Sequence, residues 1–383
     1  MSSEVIGLVD PGSRDWLAGH IYIKSLVYAN SLLPDDQRLE ICLFYKGNSF
    51  SVNDYKDIHT LVKKIVAFEG LSEPIPEVSD NTLLTQLRKN ECRVIFPSPF
   101  THKPEFDYPR TISWIPDFQH LYYPQFFSEK EIAIRESHYA MLFENSDIVV
   151  VSNEFSKKDA INFSSLAEKK VRVLPLTFWL GKDWSRPECG EIIKNFQLPD
   201  KYLMFPAQFW LHKNHRMLFE VIAKLTQKGL KEIMLVCSGS TDDYRHPAYH
   251  GELMNFVGDN KLQNNIKILG LIPREDQVQL MRGAAAIIQP SLFEGWSALL
   301  EEARALGKQV FASDIPMHRE QNPDHCTFFN PTDPDDLANC LLNAWPNLKP
   351  GADASEEREA EIKYQDHLYR FGKAFRNICV TTL

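Results

Sequence analysis

The sequence has no apolar run that approaches the roughly 18 residues needed to cross a membrane. It also does not begin with a charged segment followed by an apolar stretch, the pattern of a secretory signal. We therefore expect a protein that is soluble or bound peripherally to a membrane. Peripheral contact at the inner face of the membrane stays open as an alternative.

Paired cysteines are also lacking. The seven cysteines are scattered along the chain, they are odd in number, and no two of them form a C-x-x-C motif. This pattern is typical of reduced thiols and argues against a disulfide framework or a zinc site. It favours a cytoplasmic location.

Positive charge is not in excess. The chain has 42 Lys and Arg against 51 Asp and Glu, which gives a formal net charge of −9. This balance argues against nucleic acid as a partner and against strong attraction to an anionic membrane. We expect no nucleic-acid partner, and the sequence leaves the oligomeric state open.

Two common nucleotide-binding motifs are missing. The first strand-to-helix segment reads PGSRDWLAGH, in which Gly12 and Gly19 do not have the G-x-G-x-x-G spacing, and no G-x-x-x-x-G-K-[ST] occurs. Dinucleotide binding of the Rossmann type and a P-loop are therefore not supported. What remains is a loop that ends in Gly19 and His20. These residues could belong to a binding site, and a helix lead-in with an exposed histidine is an equal alternative.

The pattern of apolar segments predicts an α/β protein with two domains. The length of 383 residues and the 44% apolar content suffice for two cores. Short apolar runs alternate with helical patterns, which favours parallel sheets covered by helices. The first-half strands are EVIGLVD, LEICLFY, RVIFP, TISWI and DIVVVS, and those of the second half are YLMFP, IMLVCS, IKILG, AAIIQP and QVFAS. A polar stretch, GKDWSRPECG, separates the halves, and we predict domains at 1–178 and 179–362 with a terminal helix at 363–383.

The segment FEGWSALLEE places Glu294 and Glu302 eight positions apart, across a glycine turn and the predicted start of a helix. Ser297 is a candidate N-cap, and the amides that follow it would lie at the positive end of the helix dipole, where a phosphate is favoured. Carboxylates beside that phosphate would accept hydrogen bonds from the hydroxyls of a sugar and a ribose. The alternative is that both glutamates are solvated residues of an ordinary helix start.

Lys213 follows the predicted strand YLMFP and precedes a helical pattern. A lysine near the carboxyl end of a strand can neutralise a diphosphate as a compact point charge. The alternative is a surface lysine at a helix start.

The segment SWIPDFQHLYYPQFF concentrates aromatic residues around three polar ones, Asp117, Gln119 and His120. Aromatic loops with sparse polar groups suit stacking against sugar rings. The alternative is that the aromatics anchor a long loop to the core.

Three separated segments carry a resemblance to a known family. QPSLFEGWSALLEEARALGKQVFASDIPMHREQ resembles the nucleotide-sugar-binding segment of retaining glycosyltransferases of family 4. SWIPDFQHLYYPQFF is similar to the acceptor-side segment of a bacterial subgroup that makes surface polysaccharides, including mannosyl and rhamnosyl transferases, and YLMFPAQFWLHKNH resembles the lysine-bearing segment that opens the second domain. The resemblance extends from about residue 90 to 345.

The resemblance implies the GT-B fold, with two Rossmann-like doubly wound domains facing a cleft and a C-terminal helix crossing back onto the N-domain. The N-domain would bind a glycan or lipid-linked acceptor and the C-domain a nucleoside-diphosphate sugar, GDP-mannose first and UDP- or dTDP-hexoses next. The implied reaction is hexosyl transfer with retention and without a metal, and the departing phosphate oxygen would accept the proton of the acceptor hydroxyl. No cofactor is expected.

The resemblance also assigns residues to the site. Glu294, Lys213, Asp117 and His120 are the catalytic candidates, and the acceptor-side residues are Gly19, His20, Asp117 and His120. The donor-binding residues are Gln208, Lys213, Ser238, Gly239, Leu271, Ile272, Glu294, Gly295, Trp296, Ser297, Ala298, Leu299 and Glu302.

The chain departs from the family pattern at two positions. Gln208 stands where many relatives have arginine, and Pro116 stands where many have a histidine before Asp117. These departures leave a non-catalytic nucleotide-sugar-binding protein open, and a sugar phosphorylase or a nucleotide-sugar epimerase of the same fold stays open too. Asp242 and Asp243 are expected to be solvated carboxylates rather than a metal pair.

Overall fold

The computed structural model describes residues 4–13, 17–68, 81–100, 108–182, 184–185 and 189–382. The chain divides into two compact units. The first contains the residues up to Trp179 together with those from Gln365 onward, and the second contains Leu180–Tyr364.

The first unit is built on a seven-stranded sheet. Its strands are β1 (Val5–Val9), β2 (Glu40–Lys46), β3 (Lys64–Phe68), β4 (Val94–Phe96), β5 (Arg110–Trp114), β6 (Ile148–Val151) and β7 (Val171–Val173). They lie in the order β3-β2-β1-β4-β5-β6-β7, and the neighbouring strands run parallel. The helices of the same chain segment are α1 (Leu17–Ser31), α2 (Asn81–Lys89), α3 (Gln119–Tyr122), α4 (Glu129–Asn145), α5 (Glu154–Phe163) and α6 (Ala167–Lys170).

The second unit is built on a six-stranded parallel sheet in the order β10-β9-β8-β11-β12-β13. Its strands are β8 (Leu203–Pro206), β9 (Leu235–Ser238), β10 (Ile266–Ile268), β11 (Ala286–Gln289), β12 (Val310–Ser313) and β13 (Cys326–Phe329). The helices of the chain from Cys189 onward are α7 (Cys189–Asn195), α8 (His215–Gln227), α9 (Tyr249–Asp259), α10 (Arg274–Gly283), α11 (Ala298–Ala305), α12 (Pro316–Gln321), α13 (Pro334–Ala344) and α14 (Ala354–Thr382).

The central strands explain why the sequence folds this way. Every residue of β1, β6, β11 and β12 is buried, and these strands consist mainly of Val, Ile, Leu and Ala. Strands of a parallel sheet are covered on both faces, so they form continuous apolar runs instead of alternating patterns. The predicted α/β class is confirmed in both units, each of which is Rossmann-like.

Each sheet contains one point at which the order of strands reverses. In the first unit the chain turns from β1 outward to β3 and then returns to the other side of β1 with β4. In the second unit the same reversal lies between β8 and β11. The loops that leave two such neighbouring strands diverge and open a crevice at the carboxyl ends, where ligands of open α/β sheets bind.

Helix α14 belongs to both units, because its residues up to Tyr364 lie in the second and the following ones in the first. In the first unit the ring of Phe371 lies 6.1 Å from that of Tyr22. A Cβ atom on Gly372 would lie 2.4 Å from the carbonyl oxygen of Ala29, so only glycine permits this close approach to α1. None of the helices in the described part of the chain is both long and apolar enough to span a membrane.

Candidate functional site

Two of the predicted site residues, Lys213 and Glu294, meet at the strand reversal of the second unit. Lys213 ends a short 3-10 turn, Leu211–Lys213, in the loop after β8, and Glu294 lies in the loop after β11. Nζ of Lys213 donates to Oε1 of Glu294 at 2.6 Å, across 81 positions of sequence. The pairing follows from the topology, because β8 and β11 are neighbours and both loops leave the same edge of the sheet.

The pair is shielded from water but not sealed. The side chain of Lys213 is 19% exposed and that of Glu294 is 9% exposed. Gln289, the last residue of β11, also donates from Nε2 to Oε1 of Glu294 at 3.2 Å. In such surroundings the attraction between the charges is stronger than at an open surface. An anion that enters the loop region can therefore compete with Glu294 for the ammonium group.

Ser297 is the N-cap of α11, as predicted, because its Oγ accepts a hydrogen bond from the amide of Leu300. Gln289 reaches this hydroxyl as well, with Nε2 2.6 Å from Oγ, and so connects the cap to Glu294. The amides of Ala298 and Leu299 have no hydrogen-bond acceptor among the described residues, as is usual in a first helical turn. The start of α11 thus offers two free donors next to the Lys213–Glu294 pair.

Gln321 holds the helix start from the other side. Its Oε1 accepts from the amide of Ser297 at 3.1 Å, and its Nε2 donates to the carbonyl oxygen of Ser297 at 2.7 Å. The same Nε2 lies 2.9 Å from Glu301, a buried carboxyl whose pKa is raised by burial. Neither Gln289 nor Gln321 was predicted, because a single glutamine carries no local sequence signal.

Two buried histidines stay uncharged beside Lys213. Burial lowers the pKa of His318 to about 4, and it lowers the pKa of His212 well below the usual range. Nδ1 of His318 donates to the carbonyl oxygen of Ser313 at 3.0 Å, and Nε2 has no hydrogen-bond partner. Burial also lowers the pKa of His215, to about 3. Lys213 is therefore the only cationic side chain within Leu211–His215.

Glu302 lies four positions after Ala298 on α11, so the two residues share one face of the helix. Its carboxylate accepts from Nη2 of Arg274 at 2.6 Å, and the side chains are 6% and 25% exposed. Arg274 opens α10 and was not predicted. Glu302 is therefore an ion-paired carboxylate rather than a solvated one.

The loops after β8, β9 and β10 are tied together around Gly239. This residue has φ +132°, and a Cβ atom on it would lie 2.4 Å from the carbonyl oxygen of Ala207 and 2.9 Å from the amide nitrogen of Gln208. Its amide donates to the carbonyl oxygen of Gly270 at 2.8 Å. Only glycine combines this backbone with this approach.

The remaining donor-side residues lie on these loops and on the start of α11. Ser238 is buried and its hydroxyl has no hydrogen-bond partner, whereas Leu271 is 69% exposed. The half-buried members of the set are Gln208, Ile272, Gly295, Trp296 and Ala298, while Leu299 is buried.

The expectation for the acidic pair was wrong at Asp243. Asp242 is exposed, but Asp243 is 3% exposed and accepts from the amide and Nε of Arg245 at 3.0 and 3.3 Å. Within the described ranges, no cluster of three or more His, Cys, Asp or Glu side chains is arranged to hold a metal ion.

Asp117 and His120 lie just after β5 in the first unit. Oδ1 of Asp117 accepts from the amide of Gln119 at 2.9 Å and lies 3.9 Å from Arg135. His120, on α3, is 2% exposed, and burial lowers its pKa. Both of its ring nitrogens are buried without a hydrogen-bond partner. His120 is thus a neutral, buried imidazole, and Asp117 stabilises the turn into α3.

The aromatic segment around these residues has two kinds of side chain. Phe118 is fully buried and anchors the segment, as the alternative interpretation expected. Leu121 and Tyr122 are 45% and 44% exposed, and the hydroxyl of Tyr122 donates to Asp159 at 2.5 Å. The exposed part is a surface on which a sugar ring can stack.

The sequence predicted a loop that ends in Gly19 and His20, and this prediction was wrong. Helix α1 begins at Leu17, and both residues lie in its first turn. His20 is not an exposed histidine either: it is 8% exposed, and its Nδ1 lies 2.6 Å from Oδ2 of Asp10. Asp10 is buried directly after β1 and was not predicted. Its signal is a carboxylate at the end of an apolar strand, in LVD.

Comparison with known proteins shows that the second unit is similar to glycosyl transferases. Residues 191–349 match the family described as "Glycosyl transferases group 1". The chain is 21% identical over 255 residues to O-antigen chain mannosyltransferase B of Escherichia coli, which covers 63% of this chain and 64% of that protein. It is 21% identical over 194 residues to an uncharacterised glycosyltransferase of Methanocaldococcus jannaschii, covering 49% and 47%. The chain thus spans less than two thirds of the length of either relative.

The whole chain shares its fold with solved structures. The crystal structure of Anabaena HepE in complex with UDP and glucose superposes with a TM-score of 0.70 at 14% identity, covering 99% of this chain and 100% of that one. At this identity the similarity establishes the fold, which is the GT-B fold.

Proposed function

We propose that this protein is a retaining glycosyltransferase of family 4 that transfers a hexose from a nucleoside-diphosphate sugar to a hydroxyl group of a glycan or lipid-linked acceptor. The observation that carries the proposal is the Lys213–Glu294 pair beside the capped start of α11, at the strand reversal of the second unit. The match of residues 191–349 to the group 1 glycosyl transferases supports it.

The chemistry follows from where charge develops. When the bond to the anomeric carbon breaks, negative charge grows on the leaving diphosphate, and preorganised donors aimed at that charge lower the barrier most. Lys213 supplies an ammonium group, and Ala298 and Leu299 supply free amides at the positive end of α11. As Lys213 turns to the diphosphate, Glu294 becomes free to hold sugar hydroxyls and the positive character at the anomeric carbon.

The donor is the finer part of the proposal. GDP-mannose is the first candidate, because the Escherichia coli relative is a mannosyltransferase. UDP-glucose is the second, because the HepE structure holds UDP and glucose. The base would lie against the loop that follows β10, where Leu271 presents an apolar side chain to solvent.

Metal independence, a cytoplasmic location and peripheral contact with a membrane that holds the acceptor are part of the same proposal. Lys213 and the helix start would replace a divalent cation in neutralising the diphosphate. No step of the proposed transfer then requires a metal.

The experiment that tests the function incubates the protein with GDP-mannose and with UDP-glucose, each together with octyl α-D-mannopyranoside or octyl β-D-glucopyranoside as acceptor, in a phosphate buffer that contains EDTA. We expect release of the nucleoside diphosphate and retention of the anomeric configuration in the product. Release of a sugar phosphate would instead identify a phosphorylase, and an isomeric nucleotide sugar would identify an epimerase. Nucleotide binding without any turnover, hydrolysis included, would contradict an enzyme.

Replacing Glu302 with glutamine is expected to weaken nucleotide affinity about tenfold, because the acceptor of the hydrogen bond from the ribose loses its charge. Turnover at saturating donor should change less. Isothermal titration with UDP and GDP measures the affinity. Glu220→Gln is the matched control, since Glu220 also pairs with an arginine on a helix of this unit, Arg216, at 2.7 Å. Equal affinities of the Glu302 variant and the control would remove Glu302 from the ribose site.

A further inference from the structure

The first unit contains a buried carboxylate–imidazole pair at its own strand reversal. Asp10 follows β1, the strand at which the order of the sheet turns, and it is 1% exposed. Its Oδ2 lies 2.6 Å from Nδ1 of His20, and the hydroxyl of Tyr55 donates to the same oxygen at 2.8 Å. Oδ1 accepts from the amide of Gly12 at 2.8 Å. Three donors thus satisfy the two oxygens of one buried carboxylate.

These contacts define which ring nitrogen carries the proton that faces the carboxylate. A carboxylate that also accepts from Tyr55 and Gly12 has no proton to give, so the proton between Asp10 and His20 lies on Nδ1 of the histidine. When the ring is neutral, its lone pair therefore lies on Nε2, at the opposite edge. Nε2 makes no hydrogen bond to any described residue, and it is not one of the fully buried polar atoms that lack a partner.

The ring is also held in place by packing. Phe50 stacks on it with ring centroids 4.4 Å apart and an angle of 21° between the planes, and Tyr55 contacts its edge at 5.1 Å. A Cβ atom on Gly12 would lie 2.6 Å from the amide nitrogen of His20 and 2.9 Å from Oδ1 of Asp10. Gly12 therefore packs tightly against the start of α1, and the imidazole has little freedom to turn.

We propose that Nε2 of His20 accepts a hydrogen bond from a hydroxyl group of the acceptor sugar, and that Asp10 and Tyr55 are positioning residues that fix the ring for this contact. The proposal rests on the proposed glycosyl transfer. A neutral nitrogen lone pair backed by a carboxylate attracts hydroxyl donors and repels phosphate oxygens. The site is therefore suited to the carbohydrate acceptor and not to the diphosphate of the donor.

Nitrogen NMR of protein labelled with ¹⁵N-histidine tests the state of the ring and its contact with sugar. His20→Asn identifies the His20 signals and retains a side-chain donor to Asp10, while it removes Nε2. We expect protonated Nδ1 and unprotonated Nε2, and we expect octyl α-D-mannopyranoside or octyl β-D-glucopyranoside to shift the Nε2 signal. A proton on Nε2, or an Nε2 signal that neither glycoside moves, would overturn the proposal.

Kinetics separate the contact from a purely structural role. In transfer assays with these glycosides, His20→Asn should raise the acceptor KM about tenfold, the effect of one lost hydrogen bond, and leave the Kd for UDP or GDP unchanged. Asp10→Asn should produce the same KM change and a mixture of tautomers in the NMR spectrum, and Tyr55→Phe a smaller change. A lower melting temperature with an unchanged acceptor KM would contradict the contact.

Failure of this inference is distinguishable from failure of the proposed function. If the wild-type protein binds and turns over a nucleotide sugar while the His20 variant has a normal acceptor KM, only the sugar contact is lost. If the wild-type protein binds no nucleotide, the proposed function fails, and a shift of the Nε2 signal by the glycosides still tests the carbohydrate site.

Discussion

Replacing Lys213 with alanine is expected to lower the transfer rate by about a hundredfold, the usual effect of removing one donor that stabilises charge in a transition state. The structure gives the physical reason, since the nearby His212 and His318 are neutral and cannot take over the charge. Initial rates with saturating nucleotide sugar measure the effect, and thermal melting verifies that the variant is folded.

Lys224→Ala is the matched control for this variant. Lys224 also pairs with a carboxylate, Asp335 at 2.9 Å, but this pair joins α8 to α13, and its side chains are 36% and 58% exposed. Loss of an exposed pair changes stability little. The control should retain the wild-type rate, and a Lys213 variant that does the same would remove Lys213 from the mechanism.

Replacing Glu294 with glutamine should separate catalysis from binding. We expect the rate to fall about a hundredfold, because the charge that faces the anomeric carbon is lost. Nucleotide affinity should stay the same or rise, because Lys213 no longer has Glu294 as a competing partner. Single-turnover rates and isothermal titration measure the two quantities on the same sample.

A double-mutant cycle tests whether Lys213 and Glu294 act together in the transfer. Because Lys213 and Glu294 are in direct contact, the effects of Lys213→Ala and Glu294→Gln on the rate should not add. Asp335→Asn, alone and together with Lys224→Ala, is the matched surface cycle. A Glu294 variant that loses nucleotide affinity as well as rate would show that the carboxylate serves the nucleotide rather than the sugar.

The sequence predicted most of the fold because the central strands have a strong signal. All ten predicted apolar runs contain strands of the two sheets, and the apolar run VRVLPL before the polar stretch contains β7. β3 and β13 were not predicted, and both lie at an edge of their sheet. Most of their residues are only partly buried, so they lack the continuous apolar character that identifies a central strand.

The candidate site was predicted where local sequence and topology suffice. Ser297 has the residue type of an N-cap before a helical stripe, and Lys213 and Glu294 follow apolar strands, whose carboxyl ends meet at one edge of a parallel sheet. Partners supplied by distant segments have no such signal. Arg274 is an example, because its role depends on a contact with Glu302 that only the folded chain creates.

His120 shows that the position of a residue in a segment does not predict whether its side chain is buried. Its position in an aromatic loop indicated a group that contacts the ligand, yet the side chain is buried and its pKa is lowered by burial. Residue type and loop position do not determine which side chains of a segment turn inward. In this loop the bulky Phe118 enters the core, and the histidine two positions later is buried with it.

The proposed diphosphate site can be observed in a crystal structure with bound nucleoside diphosphate, GDP or UDP. We expect diphosphate oxygens within about 3 Å of Nζ of Lys213 and of the amides of Ala298 or Leu299, with the ribose hydroxyls on Glu302. We also expect Lys213 to leave Glu294 when the diphosphate binds. A diphosphate bound elsewhere, with the Lys213–Glu294 pair intact at 2.6 Å, would contradict the proposed site.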